Sequence, residues 1–318
     1  MSIDFSKTAF VFPGQGSQFV GMGRNLAETF PVARAVFEEA DSILGFAFSK
    51  LMWDGPKEEL DDTVNTQPAL FIHSLAVWNV VLEQHRDTLT PPPAPVCLAG
   101  HSLGQLSALT AAGALPLADG LRLVRRRGEL MKLAGERNPG GMAAILGLDI
   151  PTLDRVCAEA STADEIVQVA NDNCPGQVVI SGHKTALERA IAGAKAAGAK
   201  RALPLAVSIA AHSPLMATIQ AEWDAAVNEA PFTEAVVPVV GNVAAAPLST
   251  ADALRADVQA QMQNRVRWTE SVRGMHAQGV EIFVEVGAGS VLGGLVKRII
   301  EGVTTLPLGN PQDFEAIK

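Results

Sequence analysis

Short, mainly apolar segments alternate with longer segments of helical periodicity along most of the chain. The apolar segments are bounded by Gly, Pro or Asn, as is typical of buried strands, and comprise residues 8–12, 95–100, 236–242 and 281–287. Apolar residues recur at helical spacing in segments 25–44, 68–84, 103–113, 119–134 and 290–301. Strands that alternate with helices predict an α/β fold, in which helices cover both faces of a parallel sheet.

The stretch from 141 to 210 departs from this alternation. Its pattern predicts the order strand, helix, strand, strand, helix, strand, which is the order in ferredoxin-like domains. The sequence NCPG at 173–176 predicts a hairpin turn between the two middle strands. We therefore predict a main domain made of residues 1–136 and 207–318, interrupted by a ferredoxin-like subdomain at 137–206.

Composition and charge narrow the functional classes. The 318 residues are 48% hydrophobic and 19% charged, which predicts a folded chain with a sizeable core. The net charge of -9 argues against nucleic acid or an anionic membrane as the main partner. The most apolar helical segment, 68–82, is too short to span a bilayer. The proline-rich run at 91–95 predicts a stiff connector within the main domain.

Cysteine count and the first residues bear on location. Three cysteines are an odd number in a chain too long to need disulfides, which favours reduced thiols. The N-terminal segment lacks the basic start and the long apolar run of a signal peptide. We therefore expect a cytoplasmic protein without membrane association.

The segment GHSLG at 100–104 matches G-x-S-x-G, the pattern of a nucleophile elbow. A predicted strand precedes it and a predicted helix follows, which is the context that the motif requires, although a plain structural turn is the alternative. Ser102 would lie at the N-terminus of that helix, where the backbone amide of Leu103 can bind an oxyanion. The loop PGQG at 13–16 lacks the remaining residues of a nucleotide-binding motif, so we expect Gln15 to supply the second oxyanion donor instead.

A serine nucleophile needs a base, normally histidine, and the chain has six. His212 follows the apolar segment 202–210 at a predicted junction of strand and loop, where catalytic groups of open α/β sheets collect. His183, at the end of a predicted strand of the subdomain, is the second candidate. No acid that would orient the imidazole is evident, because Asp224 and Asp257 are interpreted as surface charges. A backbone carbonyl or an amide side chain is the alternative.

Arg127 stands out on the predicted helix 119–134, for which Asp119 is the expected N-cap. It follows Leu123 and Val124 by four and three residues, so it lies in the apolar stripe that faces the core. A guanidinium there needs an anionic partner. That partner is either an internal carboxylate or the carboxylate of a substrate held by a bidentate pair. With a serine nucleophile nearby, the second possibility means an acyl group that carries a free carboxylate.

With these residues in place, the chain resembles malonyl-CoA–acyl carrier protein transacylases and the acyltransferase domains of polyketide synthases. The ordered matches extend nearly from end to end and comprise FVFPGQGSQFVGMG, QPALFIHSLAVW, GHSLG, RRGELM, GMAAILGL, NDNCPGQVVISG, HSPLM, RVRWTESVRGMHAQGV and EVGAGSVLGGLVKRI. The resemblance implies an α/β-hydrolase-like domain interrupted by a ferredoxin-like subdomain, in agreement with the pattern of strands and helices.

The resemblance also implies a role for single residues. Ser102 would be acylated with His212 as its base, and Arg127 would hold the malonyl carboxylate. By motif, the main-chain carbonyl of Gln261 would orient the histidine. The backbone amides of the two residues named above, Gln15 and Leu103, would form the oxyanion hole.

The implied reaction is ping-pong. A malonyl group passes from malonyl-CoA to the serine, and then to the phosphopantetheine thiol of acyl carrier protein, for fatty acid synthesis. No metal and no permanently bound cofactor is expected. Alternatives are a trans-acting polyketide acyltransferase, a hydrolase of carrier thioesters, and a non-catalytic protein that binds carriers.

Two positions depart from the family pattern. Gln105 stands where Glu is usual, which we expect to affect the surroundings of the elbow and not the chemistry. Ala211 stands where Ser or Phe is usual and is expected to line the acyl pocket, so a branched malonyl unit is a possible substrate. Local clusters of basic residues offer candidate contacts to an acidic carrier: Lys195, Lys200 and Arg201; Lys297 and Arg298; Arg122, Arg125 and Arg126.

Overall fold

The structure is a computed structural model that describes residues 3–85 and 94–317, so most of the proline-rich run at 91–95 lies outside the described residues. The strands are β1 (Thr8–Phe12), β2 (Cys97–Gly100), β3 (Gly140–Leu146), β4 (Val167–Cys174), β5 (Gln177–His183), β6 (Arg201–Pro204), β7 (Val239–Val240), β8 (Pro247–Leu248), β9 (Ile282–Val286) and β10 (Thr304–Leu308). The helices are α1 (Arg24–Thr29), α2 (Pro31–Leu44), α3 (Phe48–Asp54), α4 (Lys57–Leu60), α5 (Thr63–Gln84), α6 (Gly104–Ala111), α7 (Leu117–Arg137), α8 (Ile150–Ala160), α9 (Lys184–Ala196), α10 (Gln220–Glu229), α11 (Ala251–Gln261), α12 (Trp268–Ala277) and α13 (Val291–Ile299).

The larger sheet has the strand order β10-β9-β1-β2-β7-β8 and is parallel except for β8, which runs antiparallel to β7 at one edge. Every residue of β1 and β2 is buried, as expected for central strands covered on both faces. Because β1 and β2 are parallel neighbours, the loops that follow them leave from the same edge of the sheet. The predicted α/β fold with a parallel sheet is confirmed.

The smaller sheet is antiparallel and has the order β4-β5-β3-β6. With α8 and α9 it follows the predicted order β-α-β-β-α-β, and β4 and β5 form the predicted hairpin, with Cys174 opposite Gln177. Apolar residues of this sheet and its two helices form a core of their own. A bridge between Asn171 and Val266 joins the smaller sheet to the rest of the molecule.

The predicted strand at 202–210 is shorter than expected. Regular pairing with β3 ends at Pro204, and one further backbone hydrogen bond runs from the Leu205 N–H to the Met142 carbonyl. The segment that follows, to residue 213, leads to the turn around Ser102 without forming a strand. The segment is apolar because Leu205, Val207 and Ile209 line a cavity, described below, and not because it is a buried strand.

Two prolines shape the helices differently from the prediction. The predicted helix 25–44 is broken at Pro31, which begins α2 because its ring clashes with the preceding turn of a continuous helix. Pro68, in contrast, lies inside α5, which begins at Thr63 after the N-cap Asp62. Pro68 leaves the carbonyl of Val64 without its helical donor, and Arg125 Nη1 donates to that carbonyl at 3.1 Å.

Helix α7 begins at Leu117 after Pro116, so the prediction that Asp119 is its N-cap is wrong. Asp119 lies in the first turn, where its charge favours the helix dipole and pairs with Arg122. Helix α7 packs against α5, which is buried along most of its length. Among the described residues, none of the helices has the length and apolarity needed to cross a bilayer.

Candidate active site

Ser102 lies in a tight turn between β2 and α6. Its φ of 53° is in the left-handed region, which a side-chain-bearing residue adopts rarely and which is typical of strained functional turns. Gly104 permits the turn to pack on the end of β1, because a Cβ at this position would lie 2.1 Å from the Phe12 carbonyl oxygen. The Ser102 backbone N–H donates to Asn242 Oδ1 at 2.7 Å, which holds the elbow from the side of β7.

His212 is the histidine that meets the serine. Its Nε2 lies 2.8 Å from Ser102 Oγ, and its Nδ1 lies 2.9 Å from the main-chain carbonyl oxygen of Gln261. Since a carbonyl only accepts, Nδ1 carries the proton and Nε2 is free to accept one from the serine. The imidazole is thus oriented by a backbone carbonyl, one of the two arrangements left open by the absence of an evident acid. His212 stands in the segment after Pro204 with a φ of 56°, and not at the end of a strand as predicted.

Burial lowers the pKa of His212 to about 3, with the nearby Arg127 guanidinium as the second cause. The hydrogen bond to Gln261 acts in the opposite direction and does not offset them. The imidazole is therefore neutral at physiological pH and ready to act as a base.

The other histidines near the sheet edge have different partners. His101 turns its Nε2 to Asn173 Oδ1 at 2.8 Å, although it adjoins the serine. His183, the second candidate for the base, accepts a hydrogen bond at Nδ1 from the Ile166 backbone N–H and does not reach Ser102. The geometry therefore favours His212 over His183.

Arg127 is 2% exposed and points at the nucleophile. Its Nη2 donates to Ser102 Oγ at 3.1 Å and to Gln261 Oε1 at 2.8 Å, while its Nη1 donates to Gln67 Oε1 at 2.8 Å. Burial lowers its pKa to about 10, so the guanidinium stays protonated at neutral pH. Among the described residues no carboxylate pairs with it and its Nε has no partner. Its protein partners are neutral, which leaves the positive charge available to an anion from outside.

The two predicted oxyanion donors line the same cavity as Ser102. Leu103 immediately precedes α6, and Gln15 stands in the loop after β1, with its side chain accepting from Thr63 Oγ1 at 2.9 Å. Within the part of the chain that the structure describes, neither backbone N–H donates to another protein group. Gly14 permits the loop after β1 to approach the turn around Ser102, because a Cβ at position 14 would lie 2.5 Å from the His101 carbonyl oxygen. Two unused N–H groups beside a serine can bind an oxyanion.

The cavity has a volume of about 290 Å³ and lies between the two sheets. Its floor carries the polar groups named above, and its walls are largely apolar, with Leu205, Val207 and Ile209 from the segment after β6 and Met142 from β3. Ala211 lines it beside His212, as expected for the position that departs from the family pattern. This size suits a small organic ligand whose reacting carbon would lie beside Ser102.

Several residues around the site were not identified from the sequence. Asn242 holds Ser102 and Gln67 holds Arg127, and both are buried amides for which no sequence pattern gave a signal.

Asp257 was interpreted from the sequence as a surface charge, and this is wrong. It is 6% exposed and accepts hydrogen bonds from the backbone N–H groups of residues 242–244 and from Gln105. Its position four residues before Gln261 on α11, one helical turn away, was the available signal.

No group of three or more His, Cys, Asp or Glu side chains is arranged to hold a metal ion in the described ranges 3–85 and 94–317. The three cysteines are buried and free. Burial raises the pKa of Cys97 and Cys157 to about 12, so neither thiol is a reactive nucleophile at neutral pH.

Comparison with known proteins is consistent with this geometry. Residues 9–307 match the family of acyl transferase domains. The malonyl CoA-acyl carrier protein transacylase of Escherichia coli strain K12 is 46% identical over 308 residues, which cover 97% of this chain and 97% of that protein. The crystal structure of an acyl carrier protein S-malonyltransferase from Vibrio cholerae superposes with a TM-score of 0.93 at 42% identity, over 98% of this chain and 100% of that one. A malonyl-transacylase solved in complex with its type II PKS acyl-carrier protein has a TM-score of 0.92 at 42% identity, over 98% of this chain and 99% of that one.

Proposed function

Because the chain belongs to the malonyl CoA-acyl carrier protein transacylase family of acyl transferases, we propose that it carries a malonyl group from coenzyme A to an acyl carrier protein on Ser102. The reaction supplies malonyl units to fatty acid synthesis. One observation above all supports the site: a neutral histidine and an unpaired buried arginine both contact the same serine oxygen.

The first half-reaction forms the acyl-enzyme. His212 Nε2 takes the Ser102 hydroxyl proton as Oγ attacks the thioester carbon of malonyl-CoA. The carbonyl oxygen becomes an oxyanion that the amides of Gln15 and Leu103 stabilise. When the tetrahedral intermediate collapses, the C–S bond breaks and the thiolate of coenzyme A takes the proton back from His212.

The second half-reaction reverses these steps with a different thiol. The phosphopantetheine thiol of the carrier gives its proton to His212 Nε2, and its sulfur attacks the malonyl ester carbon. Collapse breaks the bond between that carbon and Ser102 Oγ, and the serine recovers the proton. The Gln261 carbonyl keeps the imidazole in the same tautomer through both half-reactions.

Arg127 is proposed to select the acyl group. A malonyl thioester has its carboxylate two carbons from the carbon that Ser102 attacks, and the guanidinium lies beside that serine. The carboxylate would pair with the donors that now face Ser102 and the unpartnered Nε. This ion pair compensates the charge of a malonyl group in a largely apolar cavity. An uncharged acyl group would leave the guanidinium without an anionic partner.

Loading of a polyketide carrier is the second candidate, because the structural relatives include a malonyl-transacylase bound to a type II PKS acyl-carrier protein. The chemistry at Ser102 is the same for both pathways, so only the carrier distinguishes them. A cytoplasmic location is proposed in either case, supported by three buried free cysteines.

The proposal is tested by incubating the purified protein with malonyl-CoA and a phosphopantetheinylated carrier from fatty acid synthesis. Formation of malonyl-carrier is followed by mass spectrometry, with a type II polyketide carrier assayed in parallel. We expect transfer to the fatty acid carrier that is lost in Ser102→Ala. Release of free malonate without malonyl-carrier would instead indicate a thioester hydrolase.

A further inference from the structure

Behind the serine, the histidine and the arginine lies a continuous chain of buried polar side chains. It begins at Asp257 on α11, passes through Gln105 on α6 and Gln261 on α11, and ends at Arg127 on α7. The exposed fractions of these side chains are between 0% and 6%, so solvent does not replace any of their hydrogen bonds.

The two end residues of this series of side chains, Asp257 and Arg127, fix the direction of every hydrogen bond in it. Asp257 accepts at both oxygens, so Gln105 must present its amide nitrogen, which donates to Asp257 Oδ2 at 2.7 Å. The Gln105 oxygen then faces Gln261 and accepts from Gln261 Nε2 at 2.5 Å. The Gln261 oxygen in turn faces Arg127, a pure donor, and accepts from Nη2 at 2.8 Å. An acceptor-only carboxylate thus orients two amides toward a donor-only guanidinium.

The same carboxylate holds the loop that supports the elbow. Asp257 Oδ2 accepts from the Asn242 backbone N–H at 2.9 Å, and Oδ1 accepts from the Ala244 backbone N–H at 2.7 Å. A Cβ at Gly241 would lie 2.6 Å from Asp257 Oδ1, so the loop can close on the carboxylate only with glycine there. Asn242 then accepts from the Ser102 N–H through its side-chain oxygen.

We propose that Asp257 and Gln105 are positioning residues for the acyl transfer, which together set the orientation of Gln261 and, through it, of His212 and Arg127. Gln261 supplies the main-chain carbonyl to His212 Nδ1 and the side-chain oxygen to Arg127, and its Nε2 donates to the Ser102 carbonyl at 3.0 Å. Asp257 lies one turn before Gln261 on α11, so it anchors the part of the helix from which these groups project. The inference rests on the proposed function of Ser102.

The proposal predicts that activity needs one carboxylate in this series of side chains, at position 257 or at position 105. Activity falls when there is no carboxylate in the series or when there are two. Asp257→Asn places an N–H opposite the Gln105 amide or the loop N–H groups, which are themselves donors. If Gln105 and Gln261 rotate their amides to relieve this, an N–H of Gln261 faces the Arg127 guanidinium. Gln105→Glu installs the residue type that is usual in the resembling family, yet here it sets a second carboxyl group 2.7 Å from Asp257. In the double variant Gln105→Glu/Asp257→Asn, the carboxylate introduced at position 105 accepts from the amide introduced at position 257 and from Gln261 Nε2, so the direction of the hydrogen bonds toward Arg127 is restored. The Asn242 backbone N–H, which donates to Asp257 Oδ2 in the wild type, loses that acceptor.

The experiment measures the rate of malonyl-Ser102 formation by rapid quench and mass spectrometry, together with the KM for malonyl-CoA and the melting temperature. We expect each single variant to lose about 10- to 100-fold in acylation rate, since each leaves a buried polar group mismatched. We expect the double variant to acylate at least about fivefold faster than Asp257→Asn alone, as coupled neighbours do in a double-mutant cycle, although the Asn242 N–H still lacks its acceptor. Asp252→Asn, on the exposed face of the same helix, is the matched control and should be unchanged.

Three outcomes overturn the proposal: folded single variants with wild-type rates, losses that multiply in the double variant, or a double variant that does not fold. Recovery in the double variant supports it even if one single variant is unstable. Failure of the proposed function is distinguishable, because the wild-type protein itself would then form no malonyl-serine.

Discussion

Arg127 Nη2 lies 3.1 Å from Ser102 Oγ, so the buried cation and the candidate nucleophile are in direct contact. A hydrogen bond from a guanidinium to a hydroxyl oxygen holds the serine but does not activate it, since activation requires a base. The same serine oxygen lies 2.8 Å from His212 Nε2, so the base and the cation meet at one atom.

Replacing Arg127 by Ala should therefore change substrate selectivity. Malonyl-CoA would bring its carboxylate into the cavity unpaired, at a cost on the order of 3–5 kcal/mol. At about 1.4 kcal/mol per decade, this is a roughly 100- to 3000-fold loss in kcat/KM for malonyl-CoA relative to acetyl-CoA. Transfer of acetyl should stay the same or increase, because the variant no longer leaves a cation unpaired.

The matched control for this experiment is Arg126→Ala, one position earlier on α7, where the side chain is exposed and pairs with Glu129. It should leave both substrates unaffected. Equal losses for malonyl-CoA and acetyl-CoA in Arg127→Ala would mean that the residue serves structure alone.

The acylation rate should be nearly independent of pH from 8 down to 5. His212 acts in its neutral form, and its pKa is lowered to about 3, first by burial and second by Arg127, so lowering the pH to 5 protonates almost none of it. A histidine with the ordinary pKa of about 6.5 would lose roughly 30-fold over the same range. The measurement is single-turnover acylation across this range, and a loss of that size in the wild type would contradict the lowered pKa of His212.

His212→Ala should slow acylation by about 10²- to 10⁴-fold, the usual contribution of a general base, while the fold is retained. His183→Ala is the control, because its ring contacts the Ile166 backbone and not Ser102. The two rates are compared by the same quench assay, with melting temperatures as the check on folding. Equal damage from both variants would show that the choice between the histidines is wrong.

Docking of an acidic carrier should depend on salt more than binding of malonyl-CoA does. The basic cluster on α7 is neutralised by Asp119 and Glu129. A second basic cluster beside the smaller sheet remains exposed and consists of Lys195 on α9, Lys200, and Arg201 on β6. Attraction to such a cluster is screened over about 8 Å at physiological ionic strength, so lowering the salt should lower the KM for the carrier. Equal salt responses of the two KM values would mean that the net charge of -9 outweighs the cluster.

The sequence was sufficient for the parts of the fold that local pattern determines. The central strands, the hairpin of the smaller sheet and the turn around Ser102 follow from apolar runs and from Gly and Pro positions. Residues 205–210 were predicted wrongly as part of a strand, because apolar residues that line a cavity have the same composition as a buried strand. The helix breaks at Pro31 but continues through Pro68. At Pro68 a tertiary contact, from Arg125 to the Val64 carbonyl, replaces the missing hydrogen bond.

At the site, the sequence pointed to Ser102, His212, Arg127 and Gln261, which the structure brings together. It missed Gln67, Asn242 and Asp257, which hold them. Arg127 was found because a charge on an apolar stripe is anomalous. Asp257 was not, because a lone acid on a helix is usually a surface charge, and only the fold shows that α11 turns it inward. Asn242 lies 140 residues from the serine that it holds, a separation across which no local pattern acts.

The central claim, that a malonyl group is carried on Ser102, is tested most directly by intact-mass analysis and peptide mapping after the protein is mixed with malonyl-CoA alone. The account predicts a gain of one malonyl group, located on the peptide that contains Ser102, and no gain in Ser102→Ala. It also predicts that adding a phosphopantetheinylated carrier removes the adduct and yields malonyl-carrier. An adduct on Cys174 or on another serine, or none at all with an active preparation, would contradict it.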